Sequence, residues 1–228
     1  MRGTVMRTSG TLYKLQSWLS PSYPVGAYAF SHGLENAVET SLVTNATEVC
    51  DWVGNLVSFG NGFADLVFLS AAWEATVKGE DLSAIVGQAY AFQFTLELRV
   101  ESTAQGAAFL TATRQAWPCS ALERIPSDNQ IAYPVAVGVT AAGHAIDKVD
   151  SMQAYAHAFV ANLVSAAVRL IPLGQTEGQQ IIAQLESVVD RAVEGALATP
   201  IDRVATSTMI VDVVSMNHET QYTRLFRS

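Results

Sequence analysis

Charge is scarce in this sequence. Only 15% of the 228 residues are Asp, Glu, Lys or Arg, against about 25% in an ordinary soluble protein. Half of the residues are hydrophobic, which excludes a disordered chain, since disorder goes with few apolar side chains and much charge. Positive charge is scarcest of all: 13 basic residues face 21 acidic ones, for a net charge of −8. That argues against nucleic acid as the main partner, because phosphate contacts need a surplus of Lys and Arg. Cysteine is almost missing. Cys50 and Cys119 stand in different segments and form no Cys-x-x-Cys pair, so reduced cytosolic thiols are the simplest reading. Long hydrophobic runs are missing too. The most apolar stretch, 158–174, is interrupted by Asn162, Ser165 and Arg169 and falls short of the ~20 residues a membrane span needs. No apolar signal core follows Met1-Arg2-Gly3-Thr4. A soluble cytoplasmic protein is expected, with no membrane contact. The phosphate-loop pattern Gly-x-x-x-x-Gly-Lys-Ser/Thr is absent, so the chain is not expected to hydrolyse a nucleoside triphosphate itself, and no cofactor is implied.

Helical periodicity is what the sequence does have. From Met152 the apolar positions Tyr155, Ala156, Phe159, Val160, Leu163, Val164, Ala167, Val168 and Ile171 follow the i, i+3, i+4, i+7 steps of one helix face. Asp150 and Gln153 read as its capping box, and Pro172 as its end. A second stripe runs from Ile181 to Ala196. Asn45 and Glu48 form a capping box before Val49, Trp52, Val53, Leu56 and Val57. Gly60 and Gly62 are expected to break that helix, with Asp65 opening the next and Lys78-Gly79 closing it. A long helical region spans 81–115, with a break near 93–95, and Pro134 fits the first turn of a helix reaching about Ile146. Residues 133–139 and 209–214 are β-branched enough to be ambiguous, but neither has a hairpin turn beside it. The expectation is an all-α fold: one compact multi-helix bundle of eight or more helices spanning 1–228. The N-terminal segment 1–10 and the tail 217–228 read as mobile when alone.

Four segments could carry function. The first, 20–35, reads SPSYPVGAYAFSHGLE. Pro24 and Gly26 suit a rigid turn. Ser31 and His32 invite comparison with a hydrolase nucleophile, but Ala29 stands where Gly-x-Ser-x-Gly needs a glycine. His32 and Glu35 could share a helix face as metal ligands, though two ligands are weak support; structure or partner contact is favoured over catalysis. The second holds Glu97, Arg99 and Glu101. The two carboxylates lie one helical turn apart, and a solvated face or an ion pair with Arg99 or Arg114 is favoured over acid/base work. The third, 171–179, contains Pro172, Gly174 and Gln175. It reads as a helix stop and restart capped by Gln175 or Thr176, or as hydrogen-bonding surface at an interface. The fourth is the tail, where Tyr222, Arg224, Leu225, Phe226 and Arg227 are anchor-type residues. It either orders on a partner or folds against its own core. A helical hydrolase or metalloenzyme using His32, Glu35 and His144 is the competing functional reading. His144 and His157 are otherwise expected to be ordinary core or surface histidines, and Cys50 a small buried apolar residue.

Taken together and in order, SPSYPVGAYAFSHGLE, the ELRVES helix, RLIPLGQTEGQ and HETQYTRLFRS resemble the urease accessory protein F family, UreF. The similarity runs from Leu12 to Ser228, with Tyr23 and Tyr28 where the family often has phenylalanine. Its motif positions here are Pro24, Gly26, Ser31, His32, Gly33, Leu34, Glu35, Glu97, Arg99, Pro172, Gly174 and Gln175. The resemblance implies an all-α, homodimeric, non-enzymatic co-chaperone. It would bridge the accessory protein UreD or UreH and the GTPase UreG on apo-urease, supporting GTP-dependent nickel insertion. It also implies that Glu219, Tyr222, Arg224, Leu225, Phe226, Arg227 and Ser228 belong to a segment ordered against the UreD/UreH partner.

Overall fold

A computed structural model of the chain describes residues 9–125 and 130–228. The expected mobile segment 1–10 lies mostly outside them; Ser9 and Gly10 already belong to the first helix. Among the described residues there are ten α-helices and no strand: α1 Ser9–Trp18, α2 Leu34–Glu39, α3 Ala46–Phe59, α4 Asn61–Lys78, α5 Ser83–Ala91, α6 Leu96–Ala116, α7 Tyr133–Gly143, α8 Lys148–Leu170, α9 Gln175–Ala198 and α10 Met209–His218. The all-α expectation holds. Both ambiguous stretches are helical, and for α7 the reason is burial. Residues Pro134–Ala141 are buried on every side, and a helix without a polar face loses the period that identifies it.

The α7 helix packs most closely against α4, while α3, α8 and α9 pack together and also touch α4. The buried side chains form one apolar core that includes Phe68, Leu69, Val135, Val139, Leu163 and Leu185. The apolar run Ala46–Lys78, composed strongly enough to pass for a membrane span, is mostly buried in this core. The α4–α7 approach depends on Gly138, where a Cβ would stand 2.5 Å from the Leu69 carbonyl oxygen. Neither helix backbone can yield without disturbing the other. Gly138→Ala is expected to lower stability by about 1–3 kcal/mol, the usual range for overpacking. A thermal melt against the unchanged protein checks it.

Helix ends follow local chemistry, with some departures from expectation. The Asn45 side chain accepts from Glu48 N–H at 3.1 Å as expected, but the reciprocal Glu48 contact falls on Thr44 N–H, at 2.7 Å. Gly60 alone separates α3 from α4, and Gly62 continues inside α4. Asp147, not Asp150, caps α8, accepting from the amides of Val149 and Asp150 at 2.8 and 3.1 Å. The aspartate three residues earlier wins because its side chain reaches two of the free N–H groups that every helix start presents. Gly79, at φ 75°, closes α4 in the left-handed conformation. At α9 neither Gln175 nor Thr176 caps; the Glu177 carboxylate reaches back to the Gly174 N–H at 2.8 Å. Cys50 and Cys119 are free thiols, and both are partly exposed.

Candidate functional site

The 20–35 segment turns twice before α2. Gly26 has φ 73°, and a short 3₁₀ turn over Ala27–Ala29 follows. His32 and Gly33 are then both left-handed, at φ 57° and 78°. This consecutive pair starts α2 directly against α10. A side chain at Gly33 would meet Val214 Cγ2 at 3.1 Å and the Ser215 amide nitrogen at 3.3 Å. A left-handed histidine costs about 1–2 kcal/mol. Tertiary contacts hold it there: the ring packs edge-on against Phe159, with centroids 5.4 Å apart, and Nδ1 lies 3.3 Å from Glu101 Oε1.

Three carboxylates meet the final segment at this point. Glu35 comes from α2, and Glu97 and Glu101 come from one face of α6, a turn apart. All three are buried. His218, at the end of α10, is fully buried between two of them: Nε2 is 2.8 Å from Glu35 Oε2, and Nδ1 is 2.8 Å from Glu97 Oε2. Both ring nitrogens lie within hydrogen-bonding distance of carboxylate oxygens. Arg224 Nη1 donates to Glu97 Oε1 at 3.1 Å. Burial pushes the Glu97 carboxyl upward, and His218 and Arg224 pull against that shift. Burial would drive the His32 ring downward, but Glu101, Asp65 and Asp212 together outweigh it and leave the ring above its usual range.

The main chain of the final segment is held by the same groups. Glu35 accepts from the amides of Leu225 and Phe226 at 2.6 and 2.9 Å. Ser228 donates its hydroxyl to Glu101 at 2.7 Å. The Ser228 main-chain oxygen accepts from both the amide, at 2.9 Å, and the hydroxyl of Ser31. Arg227 N–H donates to the Ala29 carbonyl at 2.8 Å. The Arg169 guanidinium lies 4.3 Å from the Phe226 ring centroid and donates to the Tyr28 carbonyl at 2.8 Å. The result is a clasp. Buried charge on α2, α6 and α10 fixes residues 224–228 onto the 29–35 segment, through charge-assisted bonds that are stronger than neutral ones.

The structure thus joins three of the four sequence segments. Ser31, His32, Gly33, Leu34, Glu35 and Glu97 line the clasp or shape it, and Pro24 and Gly26 form the turn leading to it. Arg99 does not join. Its Nη2 donates to the Gln93 carbonyl at 2.9 Å, and it stacks over Tyr90. Arg114 likewise bonds the Leu122 carbonyl. The solvated face or local ion pair expected for Glu97 and Glu101 is therefore replaced by burial against His218, Arg224, His32 and Ser228, partners remote in sequence. Pro172, Gly174 and Gln175 lie at the exposed turn between α8 and α9 and make none of these bonds. In the final segment Phe226 and Ser228 are buried within the chain itself. Glu219, Arg224 and Arg227 are exposed, as are Tyr222, fully, and Leu225, at 63%.

Sequence reasoning missed two members. His218 stood inside a quoted segment without being singled out. Arg169 opens RLIPLGQ but served only to interrupt an apolar run. Their signal was polarity at otherwise apolar helix positions. The residues of the competing enzyme reading are held by different partners. Glu35 belongs to the clasp and His32 pairs with Glu101. His144 bonds the Trp117 carbonyl at 2.9 Å and the Lys14 ammonium at 3.0 Å. Among the described residues no group of three or more His, Cys, Asp and Glu side chains is disposed to hold a metal ion.

The chain is a helical body whose buried polar and charged groups hold its own final segment. The UreF family model matches residues 43–186. The chain is 42% identical to the urease accessory protein UreF of Bradyrhizobium diazoefficiens over 226 residues, covering 97% of this chain and 93% of that one. It is 43% identical to the UreF of Rhodopseudomonas palustris strain HaA2, over 96% and 94% of the two chains. With UreF 1 of Brucella suis biovar 1 it shares 42% identity over 95% and 94%. The chain belongs to the UreF family of urease accessory proteins.

Proposed function

We propose that this chain acts in the cytoplasm as a non-enzymatic co-chaperone of urease. In this reading it bridges a UreD/UreH-type protein and a UreG-type GTPase, works as a homodimer, and supports GTP-dependent insertion of nickel, the cargo, into apo-urease. The observation that carries the reading is the two-sided final segment. Its backbone, Phe226 and Ser228 are clamped to the body, while Tyr222 and Leu225 present apolar surface outward. On neighbouring α10, Met209, Ile210, Val213 and Met216 are exposed as well. Anchors held rigidly before a partner arrives lose little entropy on binding. A single domain spanning the chain fits this role.

Complementation tests the reading. A strain lacking the gene for this chain should accumulate inactive apo-urease and recover activity when the gene is restored. Full urease activation in that strain would falsify the proposal. Surface and clasp separate in a second experiment. Tyr222→Ala with Leu225→Ala is expected to leave the melting temperature within experimental error. It should weaken capture of the UreD/UreH-type partner about 30-fold, the equivalent of one hot-spot residue of about 2 kcal/mol. Unchanged capture would remove these two residues from the interface.

A further inference from the structure

Beside the clasp a cavity of about 220 Å³ opens between the 19–28 loop and α8. Its walls include Leu19, Val25, Leu98 and Phe159, and its inner end holds His32 and Asp65. Two polar atoms there have no hydrogen-bond partner, His32 Nε2 and Asp65 Oδ1, although both residues are more than nine-tenths buried. The other atoms of these groups are engaged. Tyr155 donates its hydroxyl to Asp65 Oδ2 at 2.7 Å, and His32 Nδ1 faces Glu101. With its Nδ1 hydrogen directed at Glu101, His32 offers Nε2 as an acceptor once the ring is neutral, on the alkaline side of its raised range. The inner end then offers two acceptors, one of them a carboxylate with Gln93 beside it, in a cavity whose walls are partly apolar. Unpaired buried acceptors are costly and rare in native structures.

We propose that this cavity is a binding site for an ammonium or guanidinium group carried on a short apolar stem, its N–H donors directed at Asp65 Oδ1 and His32 Nε2. A free alkylamine and a basic side chain of another protein share this chemistry. The cavity is larger than the roughly 150 Å³ void that admits benzene, so a four-carbon stem fits. Charge supports the assignment. Burial lifts the Asp65 carboxyl to about 7, despite the Tyr155 hydrogen bond that lowers it. A bound cation would favour the carboxylate and the neutral imidazole together. The titratable groups facing the site or its histidine are His32, Asp65, Glu101, Asp212, His157, Tyr28, Tyr133 and Tyr155. Asp65 loses its proton as pH rises through about 7, so cation binding should strengthen from pH 6 to pH 8.

The probe is n-butylguanidinium, titrated into the full chain by calorimetry and by NMR, with 1-pentanol as the neutral control. The expected result is binding at least tenfold tighter than pentanol at pH 8, tighter at pH 8 than at pH 6, and at least tenfold weaker in Asp65→Asn. Should that variant fail to fold, Ala161→Phe at the cavity lining should block the probe with the inner end untouched. A guanidinylated lysine-bearing peptide competing with the probe would assign the site to a partner's side chain; a probe that binds without such competition assigns it to free amines. Pentanol binding as tightly as the cation, or a crystal soaked with the probe showing only water beside Asp65, overturns the proposal.

Discussion

His218→Ala is expected to destabilise the protein by about 3–5 kcal/mol, the usual cost of removing one partner from a buried polar pair and leaving carboxylates unpaired. The ring is fully buried and bridges Glu35 and Glu97. Its loss leaves two carboxylates in a space from which water was excluded. Arg224 still faces Glu97, and the amides of Leu225 and Phe226 still face Glu35. These contacts reduce the penalty without replacing the two hydrogen bonds of the His218 ring. Denaturant unfolding measures the loss. Hydrogen exchange locates it, because the amides of Leu225 and Phe226 should lose protection before the core helices do. A loss below about 1 kcal/mol, with those amides still protected, would mean that the clasp is held by its apolar contacts and not by charge. In cells the same variant should reduce urease activation, since the outward anchors would no longer be presented in one geometry.

The second large effect is a pH dependence. Asp65 is buried and its carboxyl is raised from 3.8 to about 7. A carboxyl raised on folding holds its proton in the folded state while the unfolded chain has already released it. Its contribution to stability is therefore greatest below the unfolded value and falls as pH rises from about 4 to 7. The interval between 3.8 and about 7 corresponds to about 4 kcal/mol at full effect. Glu97, also raised, acts with the same sign. So does His32. A histidine raised on folding stabilises while protonated, and that contribution disappears as pH climbs through its folded value. Unfolding free energies of the unchanged protein and of Asp65→Asn, measured from pH 5 to pH 8, should diverge toward the alkaline end. The variant should become the more stable of the two there by up to about 4 kcal/mol. Parallel curves would show that Asp65 is ionised throughout and compensated by some other group.

Much of this protein follows from pattern alone. Apolar residues at helical spacing place α3, α8 and α9, and a glycine in the left-handed conformation ends α4 where expected. These features are local: a stripe of Val, Leu and Ala must be buried whichever neighbour covers it. The sequence also contained the pieces of the clasp, because Ser31, His32, Glu35, Glu97 and the anchors from Arg224 to Ser228 all stood in the segments that first drew notice. What it could not contain was their arrangement. Glu97 and Glu101 look the same on a solvated helix face and on a buried one. Only the packing of α6 against α10 and α2 decides that they meet His218 and His32 instead of Arg99 or water. The final segment presented the same ambiguity, since residues able to anchor on a partner are equally able to fold back. Tertiary structure divided it, turning Phe226 and Ser228 inward and Tyr222 and Leu225 outward. The scarcity of charge takes on a sharper meaning in that light. Several of the few charged side chains are withdrawn from the surface, where burial makes each worth more than it would be in water, and used to hold the chain to itself.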